Sequence, residues 1–339
     1  MKKKAVTIYD IAQRLNLSPS TVSRGLRDDE RINSRTKELI AATAADLNYQ
    51  PNRVAAGLRG GSTKTIGLIV PRINRDFFAN AISGIEQVAR SRGFQLIITQ
   101  SSETLAAERE NVAALTAARV DGILASCTLE TDRMDHFAEL QRRQFPLVFF
   151  DRVPEHFAAH RVIIDDAEMS YQAVRHLLDQ GARRIAHLGG PNSVSIYAGR
   201  YAGYVRALEE VGLPLRHEYI DRDCLNEQRG YPAAARLLAL PEPPDAIFTA
   251  SDWTGLGITL YCKEHGVAIP EDLALVAFSN EPFTRIIEPA ISSVEQFSGR
   301  MGAAAAELLF RQIDNAEPLP TERIVQAGEL RVRASSRRK

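Results

Sequence analysis

Along the first fifty residues apolar side chains recur at helical spacing in three short runs. Ile8, Ile11, Ala12 and Leu15 make one stripe, with Thr7 before it as a good N-cap. Asn16, a residue that tolerates left-handed backbone, closes that helix. Ser18 and Pro19 open a second one, the hydroxyl as cap and the proline at the position where a missing N–H costs nothing. Val22 and Leu26 turn inward there and leave Ser20, Thr21, Ser23 and Arg24 on the outer side. A third helix starts near Asn33-Ser34 and runs through Leu39, Ile40, Thr43 and Leu47 to Tyr49. Helix, tight turn and helix over Thr7–Leu26 predict a helix-turn-helix. Its outer hydroxyls and arginine suit base edges and phosphates. A small three-helix bundle that binds protein is the competing reading.

The next stretch, Tyr49-Gln50-Pro51-Asn52-Arg53-Val54-Ala55-Ala56-Gly57-Leu58-Arg59, has room for barely two helical turns. A helix that short is unstable alone in water, and Gly57 weakens it further. Gly60-Gly61-Ser62-Thr63 behind it reads as a flexible linker. The segment makes sense if it orders on binding, when Val54, Ala55 and Leu58 form an apolar face. Paired in a minor groove, two copies could drive Leu58 between base pairs as a wedge. An ordinary linker with a chance leucine is the plain alternative.

From Thr65 the pattern changes to short apolar runs alternating with helical stretches. IGLIVP, FQLIITQ, VDGILAS, FPLVFFD and HRVIIDD predict strands, with helices over Phe78–Arg92, Ala106–Ala118 and Met134–Arg143. RRIAHLGGP, EYIDRD, PDAIFTAS and LALVAFS repeat the texture, with helices over Ser170–Gln180, Ala198–Val211, Tyr231–Leu240 and Thr254–His265. Continuous apolar strands joined by helical crossovers indicate parallel sheets covered on both faces, here two similar doubly wound α/β lobes behind an α-helical head. The expected domains are 1–50, the DNA-binding head; 51–63, a hinge helix and linker; and 64–339, a two-lobed ligand-binding and dimerisation body.

Ligands of such sheets sit beyond the carboxyl ends of the strands. Those ends carry Asn74–Phe78, Asp151-Arg152, Asp165-Asp166, Gly189-Gly190-Pro191, Ser251-Asp252 and Ser279-Asn280. Rings, carboxylates and small polar groups converging from two lobes suit a polyhydroxylated ligand. A single aspartate at a strand end equally serves to cap the next helix, and Asp252 is expected to combine capping with a lobe-interface role.

Composition adds bounds. The chain has 339 residues, 45% hydrophobic and 25% charged, which fits a globular protein of two or three domains. Its net charge of zero hides an asymmetry, because residues 1–62 hold eleven Lys/Arg against six Asp/Glu. A basic head on an acidic body fits a polyanionic partner at one end. No apolar run is long enough to cross a bilayer, and no apolar signal region follows Met1-Lys2-Lys3-Lys4. Cys127, Cys224 and Cys262 fit no metal spacing, so a cytoplasmic protein without metal or cofactor is expected. No GxGxxG loop, P-loop or Gly-x-Ser-x-Gly elbow is present, and His187, inside an apolar strand, reads as structural.

TIYDIAQRLNLSPSTVSRGL followed by LNYQPNRVAAGLRGGSTKTIGLIVP resembles the lac-repressor (LacI/GalR) family of bacterial transcription regulators, over nearly the whole chain. The resemblance implies a body of periplasmic-binding-protein type. It places Pro19, Ser20 and Arg24 on the base-facing side of the recognition helix, and Asn52, Ala55 and Leu58 in a hinge helix with Arg59 near the minor-groove edge. The candidate DNA-contacting set is Thr7, Tyr9, Ser18, Pro19, Ser20, Thr21, Ser23, Arg24, Asn33, Tyr49, Asn52, Arg53, Ala55, Leu58 and Arg59. The candidate effector-binding set is Phe77, Phe78, Asp151, Asp165, Arg200, Leu225, Ser251, Asp252, Ser279 and Asn280. Four departures from the family pattern stand out. Gly25 replaces a branched apolar residue, and Arg27-Asp28-Asp29-Glu30 is an unusually acidic loop. Ser279 stands where relatives carry a ligand-binding Asp, and Ser251 where an Asn is common. The expectation is a homodimeric repressor that reads a roughly palindromic operator and binds a sugar or sugar derivative between its lobes. A sugar-binding receptor without gene-regulatory role, and a regulator answering a protein co-effector, remain as alternatives.

Overall fold

The computed structural model describes residues 6–49, 62–153, 156–315 and 317–338, in two compact units that divide at Thr63 and Lys64. The hinge candidates Asn52, Arg53, Ala55, Leu58 and Arg59 lie outside the described residues.

The first unit contains α1 (Ile8–Leu15), α2 (Pro19–Gly25) and α3 (Ser34–Asp46). Each begins on a polar cap. The Thr7 N–H and hydroxyl donate to the Asp10 carboxylate, Ser18 Oγ accepts the Thr21 N–H at 3.1 Å, and Asn33 Oδ1 accepts that of Thr36 at 2.8 Å. Asn16 ends α1 with φ 50°, as its residue type leads one to expect. Asn48, at φ 49°, ends α3 short of Tyr49, whose ring packs on the head core of Ile11, Ala12, Val22, Ile40 and Ala44. Gly25 is explained by this core. A Cβ there would sit 2.5 Å from Ile40 Cδ1, so Ile40 fills the space a branched residue at 25 would need.

The second unit opens with β1 (Thr65–Val70), α4 (Asp76–Ser91), β2 (Gln95–Gln100), α5 (Leu105–Ala117), β3 (Ile123–Ala125), α6 (Asp135–Arg142), β4 (Leu147–Phe150) and β5 (His160–Ile164). It continues with α7 (Asp166–Asp179), β6 (Ile185–Leu188), α8 (Ser195–Glu210), β7 (Ile220–Asp221), α9 (Glu227–Leu238), β8 (Ala246–Thr249), α10 (Asp252–His265) and β9 (Ala274–Phe278). Last come β10 (Ser292–Glu295), α11 (Ser298–Asp314), β11 (Arg323–Gln326) and β12 (Glu329–Arg331). The first lobe holds the sheet β11-β5-β4-β3-β1-β2, parallel throughout. The second holds β12-β10-β9-β8-β6-β7, parallel except that β12 runs antiparallel to β10. The parallel expectation is therefore corrected at that edge, where the chain passes from β11 in the first sheet directly into β12 of the second.

The lobes are not consecutive in the chain. After β5 the backbone leaves the first sheet, and α7 packs on α8 and the strands of the second. After β10 it returns, and α11 lies on β3, β4, β5 and α4. The passage from β11 to β12 crosses a third time. The α4–α11 contact is close because glycines face it: Cβ atoms at Gly84 and Gly302 would fall 2.1 Å from the Gly299 and Ala81 carbonyl oxygens. His187 is buried beside Tyr204 and Phe248, and burial pushes its pKa down to about 3, so it is neutral core. Among the described residues no helix is long and apolar enough to cross a membrane, and no cluster of metal-ligating side chains occurs.

Candidate functional site

On the head, Ile8, Tyr9, Pro19, Ser20, Ser23 and Arg24 share one concave face with Arg27, Asp29 and Arg31. Tyr9 is 68% exposed, far too open for a ring that serves packing alone. Arg27 and Arg31 were absent from the sequence-based set, although Arg27 lies three residues after Arg24 on the same face. Arg27 Nη2 donates to Ser23 Oγ at 2.8 Å. The acidic loop is neutralised locally: Arg31 forks onto Asp29 at 2.8 and 2.6 Å and holds its carboxyl well below the usual range, while Lys37 pairs with Asp28 at 2.7 Å. Thr7, Ser18 and Asn33 spend side-chain oxygens on helix caps, and Thr21 Oγ1 lies 2.8 Å from Ser18 Oγ. Tyr49 belongs to the packing of this unit rather than to the exposed face.

In the body a cavity of about 270 Å³ opens between the two lobes at the carboxyl ends of their strands. The first lobe contributes Arg72, Arg75, Phe77, Phe78, Glu103, Leu129, Asp151 and Arg152. The second contributes Tyr197, Arg200, Asp223, Leu225, Asn226, Arg229, Ser251, Asp252, Trp253, Ser279, Glu281 and Gln296, among others. Backbone strain collects here, with Asp151 at φ 59° and Ser279 at φ 117°, each the first residue past the end of a strand.

Arg200 is 3% exposed and fully engaged. Its Nε donates to Asp166 Oδ1 at 2.8 Å, Nη1 to the Ala250 carbonyl at 2.8 Å and Nη2 to Gln296 Oε1 at 3.4 Å. The guanidinium also stacks over Phe278 at 3.7 Å. Asp166 opens α7 and Gln296 precedes α11, so one side chain holds two of the three crossings between lobes. Asp165 was the acid expected to line the cleft, and here the structure differs. Asp165 is exposed and caps α7 by accepting the Glu168 N–H, while its neighbour Asp166 turns inward to Arg200. Burial pushes the Asp166 carboxyl up to about 6 against the pull of Arg200.

Asn280 is likewise not part of the cavity wall. Its amide donates to Glu295 at 2.7 Å and its carbonyl accepts from Arg333, both inside the second lobe. Asp252 faces the cavity, but its carboxylate accepts the Glu281 N–H and the Ser293 hydroxyl, each at 2.6 Å. Those bonds are within the second lobe, which corrects the expected lobe-interface role. Burial pushes its pKa up to about 7. Ser251 donates to the Leu225 carbonyl at 3.2 Å and so holds that half-buried loop. Ser279 accepts from Gln296 Nε2 at 3.1 Å. Asp151 is buried with one oxygen accepting from Ser126 at 3.1 Å, and burial raises its pKa. Phe77 and Phe78 meet edge to face at 5.1 Å, Phe78 buried in the core and Phe77 half-buried toward the cavity. The sequence reading missed Arg75, Glu103, Tyr197, Glu281 and Gln296. Arg75 lay inside the flagged strand-end segment, whereas Gln296 follows β10, a strand too short and polar to read.

Two family models match the chain: "Bacterial regulatory proteins, lacI family" over residues 7–52 and "Periplasmic binding protein-like domain" over residues 174–336. Catabolite control protein A of Priestia megaterium is 32% identical over 310 residues, covering 91% of this chain and 93% of the relative. The HTH-type transcriptional repressor CytR of Escherichia coli is 29% identical, covering 99% and 98%. Among solved structures, a transcriptional regulator CelR–cellobiose complex superposes with a TM-score of 0.73 at 28% identity, covering 97% and 99%. The lac repressor dimer bound to operator and the anti-inducer ONPF gives 0.87 at 23% identity, covering 98% and 99%, a likeness of fold.

Proposed function

We propose, from the premise that the chain belongs to the LacI family of bacterial regulatory proteins, that it represses transcription by binding an operator under the control of a sugar-type effector held between its lobes. The exposed Tyr9, Ser20 and Arg24 read base edges, and Arg27 adds a phosphate contact. The chain acts as a homodimer, so its operator is roughly palindromic. The reading assigns no catalytic step.

One observation carries the effector half. Arg200 lines the cavity while bonded to both Asp166 and Gln296, at two separate crossings between lobes. A ligand touching this wall alters the balance between open and closed lobes, as any ligand with different affinity for two states must. The Asn52–Leu58 segment is proposed to order on binding DNA, which makes operator binding sensitive to small changes in the body.

Selection of bound fragments from a random duplex library by the full chain tests the DNA half. A two-fold symmetric consensus is expected, and recovery of unselected sequence would overturn it.

A further inference from the structure

The cavity holds more guanidinium than its own carboxylates satisfy. Arg200 is consumed by Asp166, and Arg229 pairs at 3.0 Å with Asp223, both of them exposed. Three arginines of the first lobe are left, Arg72, Arg75 and Arg152; Glu103 serves Arg152 and Arg72, Asp151 stands at the edge of ion-pair range from Arg152, and Arg75 has neither. Glu103 bonds Arg152 Nη1 at 2.7 Å and reaches Arg72 only at 3.5 Å. Arg152 is 8% exposed, yet its Nε has no hydrogen-bond partner, and the nearer oxygen of Asp151 is 3.9 Å away. Arg75 is half-buried, forms no ion pair among the described residues and lies over the Trp253 ring at 4.5 Å. Glu281 attracts Arg75 without reaching ion-pair distance. A buried cation with an unused donor is costly unless something anionic completes it.

The remaining acids of the wall do not fill that role. Both hydrogen bonds of Asp252 are directed to Ser293 and Glu281, and Asp151 leans on Ser126. Ser279 offers a hydroxyl and no charge, and that hydroxyl accepts from Gln296. Four helices also begin at the cavity: Phe77, Tyr197, Arg229 and Trp253 line it from the first turns of α4, α8, α9 and α10. Their N-terminal ends, α4 from the first lobe and α8, α9 and α10 from the second, add positive potential to the cavity.

We propose that the effector is an anionic sugar derivative, a sugar phosphate or a sugar acid, whose negative group is taken by Arg75 and Arg152 while its hydroxyls turn to Asp151 and Ser279. This rests on the reading that the cavity is the effector site. A neutral sugar can accept hydrogen bonds from these arginines but brings no countercharge to Arg75, whereas a phosphate or carboxylate supplies both acceptor and charge. Phosphate and carboxylate share this chemistry and are separated by the test.

The test is thermal melting and calorimetry of the full chain at fixed ionic strength against three pools: hexose phosphates, aldonic and uronic acids, and neutral mono- and disaccharides. One of the two anionic pools is expected to raise the melting temperature, and which one does so names the charged group. Its active component should bind about tenfold or more weakly to Arg75→Gln. Arg152→Gln should act alike, and Arg75→Gln, which breaks no ion pair, carries the test if Arg152→Gln fails to fold. Stabilisation by the neutral pool alone, or anion binding indifferent to Arg75→Gln, overturns the anionic assignment and leaves the effector site standing. If no pool alters either melting or operator binding, the effector reading falls with it.

Discussion

Replacing Asp252 with Asn should make the body more stable at pH 8 and leave it unchanged near pH 4. Asp252 is fully buried, and burial moves its carboxyl from an ordinary value near 3.8 up to about 7. In the folded chain the charged form is therefore disfavoured relative to the unfolded chain, by on the order of 4 kcal/mol. The sign follows from the direction of the shift. The contribution is fully present below about pH 4, where the group is protonated in both states, and is lost as pH rises through about 7. Asn keeps the geometry, since its carbonyl can accept the Glu281 N–H and its amide can donate to Ser293 Oγ, at the positions now bonded at 2.6 Å. At pH 8 the variant should therefore gain a few kcal/mol, a rise of several degrees in Tm for a body of this size. Melting both proteins from pH 4 to pH 8.5 gives the comparison. Two parallel curves would show that Asp252 is ionised and well solvated in the fold, and the argument from burial would be wrong.

Four further outcomes are expected. Arg200→Ala leaves Asp166 buried without its partner and should cost about 3–5 kcal/mol of stability together with the effector response; adding Asp166→Asn should recover part of the loss, and strict additivity in the melting data would rule out the pairing. Arg24→Ala should weaken operator binding by about 1–3 kcal/mol and relax selection at one base pair, while Arg27→Ala lowers the salt slope of binding by about one, both read from anisotropy titrations over a salt series. Leu58→Ala should weaken operator binding sharply and spare effector affinity, so equal gel-shift midpoints would sink the wedge assigned to that residue. Gly302→Ala forces a Cβ toward the Ala81 carbonyl, 2.1 Å away in the present packing, and should lower stability by about 1–3 kcal/mol; unchanged denaturant midpoints would mean that α4 and α11 separate freely.

What the sequence determined by itself was everything governed by neighbours along the chain. Thr7, Asn16, Ser18, Pro19 and Asn33 mark helix ends because caps and left-handed stops are local chemistry, and the structure uses each of them that way. The apolar runs of β1, β3, β4, β6, β8 and β9 became strands because a strand buried on both faces must be continuously apolar, whereas the edge strand β2 is apolar yet largely exposed. Tertiary structure decided what depends on partners distant in sequence. Asp165 and Asp166 are adjacent and chemically identical, and only the packing of α7 against α8 sends one to solvent and the other to Arg200, 34 residues on. The two lobes interleave because the chain crosses between them three times, and β10, β11 and β12 are too short and too polar to announce which sheet they will join. The charge of the cavity was likewise invisible in a chain of zero net charge, because pairing is a matter of distance. That Glu103 reaches Arg152 and Arg72 is settled by the fold.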